Sequence, residues 1–211
     1  MGALIAERPA ALGLPDHVVS SRTCDALLAI GEPAINMAIW EREPIAALAS
    51  LKLAGLTDIR VTSSLRELPD VLDVELTKAR YADGPERQAL SSDIMALAER
   101  FAAIMNAERV EIRLEVVTTN ACKKFHADSV TARLITTYIG QGTQWLSNDD
   151  AANCDCDQPH DVRQLGTGDV ALFKGRIWSA DAPAIHRSPA IAGTGEVRLV
   201  LVINPRASEH A

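Results

Sequence analysis

From Arg109 onward the chain switches to a strict alternation of apolar and charged residues, Val110-Glu111-Ile112-Arg113-Leu114-Glu115-Val116. A period of two places every apolar side chain on one face of an extended segment, so this stretch predicts a half-buried β-strand. Further β-like segments follow at residues 133–139, 143–146, 169–173, 176–178 and 197–203, with glycines such as Gly140, Gly168, Gly175 and Gly193 in the turns between them. Many short strands joined by glycine-bearing turns suggest an antiparallel sandwich or a jelly-roll barrel.

The chain ahead of residue 109 reads differently. Residues 1–33 are rich in Ala, Pro and Gly and are expected to wrap loosely over the rest, and residues 35–40 predict a short strand ended by Glu41-Arg42-Glu43. Pro44 suits the first turn of a helix, and PIAALASLKLAGL after it has helical apolar spacing as far as Gly55. A second helix is expected over residues 65–81. A third runs from Gly84-Pro85 to about residue 106, with Leu90, Ile94, Leu97, Phe101 and Ile104 on one face. Helices first and strands after give an α+β fold: a mainly helical part, 1–107, packed outside a β core, 108–205, in one compact unit.

Composition narrows the function. Among 211 residues, 47% are hydrophobic and 23% charged, the balance of a soluble globular chain. The net charge is -7 and Lys123-Lys124 is the longest run of bases, which argues against a nucleic-acid partner. No apolar stretch is long enough to span a membrane, and MGALIAERPAALGLPD lacks the basic start and apolar core of a signal peptide. Four cysteines at 24, 122, 154 and 156 form no disulfide framework, which fits a cytoplasmic protein.

The chemistry concentrates in KFHADSV. His126 and Asp128 stand two apart in an extended segment and so project to the same side, where an imidazole and a carboxylate can face one metal ion. His186, in AIHRSP, is the natural third ligand. Two histidines and one carboxylate on one face leave coordination positions open, the pattern of non-haem Fe(II) oxygenases. A lone HxD is weak by itself, since a surface His–Asp pair and a core histidine would read the same way.

The order of elements around this motif resembles the Fe(II)/2-oxoglutarate-dependent dioxygenases, whose core is a double-stranded β-helix. The chain supplies His126-x-Asp128, then Arg133-Leu-Ile-Thr-Thr-Tyr138-Ile-Gly140, then Gly168-Asp169-Val-Ala-Leu-Phe173, then His186, and Arg198 in VRLVLVI. The resemblance covers residues 108–205. It implies Fe(II) held by His126, Asp128 and His186, with 2-oxoglutarate met at its distal carboxylate by Arg198 and by a hydrogen bond from Tyr138. Read as residues alone, Arg198 could equally pair with Glu196, and Tyr138 could be a core aromatic. Trp145 and Trp178 either line a pocket or pack in the core, and Arg187 either reaches substrate or is solvated. TTNACKKFHADSVTARLITTYIGQGTQWL together with AIHRSP also resembles an uncharacterised bacterial domain family.

A competing reading starts from Cys154-Asp155-Cys156 with His160 four residues on, in a polar loop. Thiolates and imidazole suit Zn, and Cys122 could complete such a set. The chain would then be a non-catalytic zinc-binding protein that senses or handles metal. Cys122, flanked by Lys123 and Lys124, would also have a favoured thiolate, and a Cys122–His126 nucleophilic pair is conceivable. No residue pattern names a substrate.

Overall fold

A computed structural model describes residues 13–153 and 161–207. Its main element is a seven-stranded sheet in the order β1-β2-β8-β5-β10-β4-β3. The strands are β1 (Val18–Ser21), β2 (Met37–Trp40), β3 (Ile59–Ser64), β4 (Arg109–Val117), β5 (Ala132–Ile139), β8 (Val170–Lys174) and β10 (Arg198–Arg206). All neighbours are antiparallel except β1 and β2. A smaller sheet joins β6 (Gln144–Trp145) to β7 (Arg163–Gln164) and β9 (His186–Arg187). The fold is thus a mixture of helices with a large, mainly antiparallel sheet.

Alternation along β4 and β10 divides the interior into two layers. Val110, Ile112, Leu114, Leu199, Leu201 and Ile203 pack with Leu90, Ile94, Leu97 and Phe101 of the long helix α2 (Pro85–Met105). The shorter α1 (Leu68–Lys78), with Pro69 in its first turn, adds Leu68, Leu72 and Leu76 to the same core. On the opposite face Val200, Val202, Ile135, Ala171 and Phe173 pack against Trp145 of the smaller sheet and Leu165, just after β7. The large sheet is therefore covered by helices on one side and by the small sheet on the other.

Several expectations are corrected. Beside its helices, the described part of residues 1–107 also holds β1, β2 and β3, which join the large sheet. Residues 44–56 do not make an α-helix; only Ala46–Ser50 coils, as a 3-10 turn with Leu48 its single buried residue. One buried side chain gives too narrow a face to hold a longer helix against the core. Residues 18–31 form β1 and a 3-10 helix, Cys24–Gly31, rather than a loose wrap, because Leu27 and Ile30 are buried. Residues 176–178 form a turn rather than a strand. No helix among the described residues is long and apolar enough to cross a membrane.

The charged face of β4 is also not the solvated face that its alternation implies. Glu111 lies opposite Asn204, Arg113 opposite Val202 and Glu115 opposite Val200, so these charges share the inner face with the small-sheet core. Glu111 is 3% exposed and accepts hydrogen bonds from Asn204 Nδ2 (2.7 Å) and Arg60 Nε (2.9 Å), with Arg206 at 2.7 Å. Burial alone would raise its pKa, but these donors outweigh burial and pull it down to about 2. A carboxyl depressed in the folded state stabilises above its unfolded pKa and loses that contribution as pH falls through the folded value. Stability is therefore expected to drop by about 3 kcal/mol between pH 5 and pH 2 through this group. Urea titrations across that range should show the slope, and Glu111→Gln should flatten it; equal slopes would exclude Glu111 as its source.

Candidate metal centre

Backbone pairing brings the two histidines together. His126 N–H donates to His186 O and His186 N–H donates to His126 O, both at 3.0 Å, making a single antiparallel bridge that extends the small sheet beyond β9. Residues directly opposite in such a bridge project to the same face. His186 is 4% exposed and its ring packs against Phe173 with centroids 4.7 Å apart. Asp128 follows two residues after His126, while Ala127 between them turns the other way and is buried. The Asp128 backbone is held from a further direction, its carbonyl accepting from Arg176 N–H at 2.8 Å. Gly175 is needed there, because a Cβ on it would lie 2.1 Å from Val130 O and 2.9 Å from Asp128 O.

One ligand atom from each of His126, Asp128 and His186 lies within 4.8 Å of the others. His186 Nε2 stands 3.2 Å from Asp128 Oδ2, and His126 Nε2 stands 3.7 Å from Oδ1. Donor atoms about 2.1 Å from one ion lie roughly 3.0–3.4 Å apart, so the cluster is close to metal-binding dimensions. Each Nδ1 faces a backbone carbonyl, Lys124 O at 2.9 Å for His126 and Ala184 O at 3.2 Å for His186. A carbonyl only accepts, so both rings carry a proton on Nδ1 and turn Nε2 toward Asp128. Oδ2 itself is buried without a hydrogen-bond donor. Across the 3.2 Å between His186 Nε2 and Oδ2 there is room for one cation, a proton on the ring or a metal ion. The donor set and its orphaned oxygen therefore fit a divalent ion.

Arg133, which the sequence reading left out of the site, completes the local electrostatics. Its Nη1 donates to Asp128 Oδ1 at 2.6 Å and its Nε to Asn204 Oδ1 at 2.9 Å. Burial works to raise the Asp128 pKa, but His186, Arg133 and His126 together hold it below the ordinary carboxylate value. Asp128 is thus held in the ionised form a metal requires. The missed signal lay in parity: Arg133, Ile135 and Thr137 share the inner face of β5, and an arginine on a buried face needs a carboxylate.

Arg198 is 1% exposed, also on the inner face. It does not pair with Glu196, whose carboxylate accepts from Gln141 Nε2. Its Nε donates to Gln141 O at 2.6 Å and Nη2 to Thr137 Oγ1 at 3.4 Å, while Nη1 is buried with no acceptor. Burial, against the attraction of Glu115, lowers its pKa to about 10, so it stays charged at neutral pH. Gly140, with φ +85°, runs against it closely enough that a Cβ would meet Arg198 Cγ at 3.0 Å.

Tyr138 is a correction. It shares the other parity with Leu134, faces α2, and donates from its hydroxyl to Asp93 Oδ2 at 2.7 Å. It therefore cannot meet a co-substrate beside His126 and His186. Burial, then Asp93, raises its pKa well above the ordinary phenol value, which keeps it a donor. Trp145 belongs to the small-sheet core, whereas Trp178 is half-exposed with Lys174 Nζ 5.0 Å from its ring. Arg187 lies over Phe125 at 4.2 Å and donates to Gln144. Cys122 is exposed and is not in the cluster with His126. Cys154, Cys156 and His160, the other members of the zinc reading, lie outside the described residues.

Residues 21–204 match the family described as "Protein of unknown function (DUF1826)", and the chain belongs to that family. No curated protein matches it. Among solved structures it is similar to dioxygenase for auxin oxidation 1 from Arabidopsis thaliana in its 2-oxoglutarate complex, at 10% identity over 92% of this chain and 93% of that one, with a TM-score of 0.48. It is also similar to a putative oxygenase from Shewanella oneidensis, at 10% identity, 90% and 89% coverage and a TM-score of 0.46. For a Pseudomonas putida prolyl-4-hydroxylase the figures are 15%, 79% and 97%, and 0.34.

Proposed function

We propose that the chain is an Fe(II)- and 2-oxoglutarate-dependent oxygenase built on a double-stranded β-helix. The observation that carries this reading is the convergence of His126, His186 and Asp128, whose ligand atoms lie within 4.8 Å of one another, with both Nδ1 protons committed to backbone carbonyls. Three protein ligands on one side leave room for a co-substrate and oxygen, a need that a closed four-ligand structural site does not meet. When bound, iron and 2-oxoglutarate supply the oxidising chemistry that attacks a substrate C–H bond. The chain's own residues bind and orient. His126, His186 and Asp128 would hold the ion, and Phe173 and Trp145 keep water from the floor beneath His186. Arg198 would meet the distal carboxylate, since its buried, acceptor-less Nη1 is the kind of donor an incoming anion relieves.

The test is 2-oxoglutarate binding to anaerobic, iron-loaded protein, followed by calorimetry for the wild type and Arg198→Lys. Losing the charge-assisted contact from Nη1, worth about 1.5–3 kcal/mol, should weaken binding roughly tenfold or more while the metal affinity holds. Unchanged co-substrate affinity would remove Arg198 from the role, and no binding by the wild type would remove the reading.

A further inference from the structure

Asp128 has two carboxylate oxygens and they are treated differently. Oδ2 faces His186 Nε2 at 3.2 Å, whereas Oδ1, 3.7 Å from His126 Nε2, is taken by Arg133 Nη1 at 2.6 Å. Both side chains of this ion pair are largely buried, Arg133 at 15% exposure and Asp128 at 10%. Arg133 is itself anchored at a second point, its Nε on Asn204 Oδ1 at 2.9 Å. Asn204 is fixed in turn because its Nδ2 donates to Glu111 Oε2 at 2.7 Å. Glu111 ends the chain of contacts at Arg60 and Arg206, near the rim of the sheet. A guanidinium gripped at both Nε and Nη1 cannot swing, so the carboxylate it grips cannot rotate either.

We infer that Arg133 is a positioning residue of the metal centre, locking Asp128 so that Oδ2 alone is offered to the ion. The inference rests on the metal-centre reading above and adds to it the residue that sets how Asp128 ligates. With Oδ1 held, Asp128 would offer the ion a single oxygen. Two physical effects of Arg133 oppose one another: its charge repels a dication, and its grip preorganises the ligand. Loss of the outer partner of a metal ligand typically weakens binding about 10- to 100-fold, so preorganisation is the effect expected to win.

Co(II) alone, titrated into the full chain and followed by visible absorption, tests this alongside the melting temperature of the metal-free protein. Arg133→Gln should weaken Co(II) binding about 10- to 100-fold and alter the band per bound ion. Arg133→Lys keeps the charge but replaces the fork with a single donor point, and should recover only part of the affinity. Arg60→Gln, which touches only the outer end of the network, should bind as the wild type does. Binding by Arg133→Gln that equals or exceeds that of the wild type would overturn the inference, as would full recovery by Arg133→Lys. If Arg133→Gln fails to fold, Asn204→Ala decides: weaker Co(II) binding at an unchanged melting temperature supports positioning, and wild-type binding overturns it. A wild type that takes up no Co(II) would overturn the metal centre itself, an outcome distinct from one in which only Arg133 proves irrelevant.

Discussion

Asp128→Asn is expected to abolish tight metal binding while leaving the metal-free protein folded and close to the wild type in stability. The amide keeps an oxygen that can accept from Arg133 Nη1 and replaces Oδ2 with an N–H group. That group could donate across the 3.2 Å gap to Nε2 of a neutral His186, so the pair stays hydrogen-bonded without the metal. As a ligand, though, a neutral amide forfeits the anionic oxygen. In structural zinc sites about 10–16 kcal/mol is shared among four ligands, so one lost ligand corresponds to roughly a hundred- to a thousand-fold in affinity. Calorimetric metal titration and thermal melts of both forms give the comparison. Retained affinity would mean that Asp128 is not a ligand; lost affinity with a large drop in apo stability would mean that its role is structural.

The second large effect lies on the opposite face of the sheet. Asp93 of α2 takes Arg42 through Nη1 at 2.5 Å and Nη2 at 2.8 Å, and also accepts from Tyr138. Arg42 is tied further to Gly168 O at 2.6 Å, ahead of β8. One carboxylate therefore joins α2 to β5 and to the loops that follow β2 and precede β8. Arg42 and Asp93 are only 12% and 15% exposed, so Asp93→Ala would strand a buried guanidinium and a buried phenol. Breaking a buried pair from one side costs about 3–5 kcal/mol, a large part of the roughly 5–15 kcal/mol that holds a typical domain folded. Urea denaturation should show a loss of that size with Co(II) affinity intact, and Tyr138→Phe should likewise spare the metal. A loss below about 1 kcal/mol would show that the clamp contributes little.

Legibility followed periodicity. The alternation in β4 and the apolar stripe of α2 are long and regular, and both elements lie where their patterns predict them. Short segments were harder. Residues 44–56 carry helical spacing, yet one buried leucine could not hold an α-helix there, while β3 escaped notice because its alternation, Ile59-Arg60-Val61-Thr62, is only four residues long. The candidate ligands His126, Asp128 and His186 were readable because HxD fixes two side chains on one side of an extended segment. What surrounds them was not. Arg133, Asn204 and Glu111 are charged or polar positions inside strands, and sequence alone assigns such residues to solvent unless both faces of the sheet are known to be covered. Tyr138 was misplaced for the same reason, since only the parity of β5 shows that it points toward α2.

The most direct measurement is iron content together with the visible spectrum of protein reconstituted without oxygen, before and after adding 2-oxoglutarate. One Fe(II) per chain and a new metal-to-ligand absorption band, both lost in Asp128→Asn, are the expected result. Protein that takes up no iron, or binds it without any spectral response to 2-oxoglutarate, would contradict the proposed oxygenase.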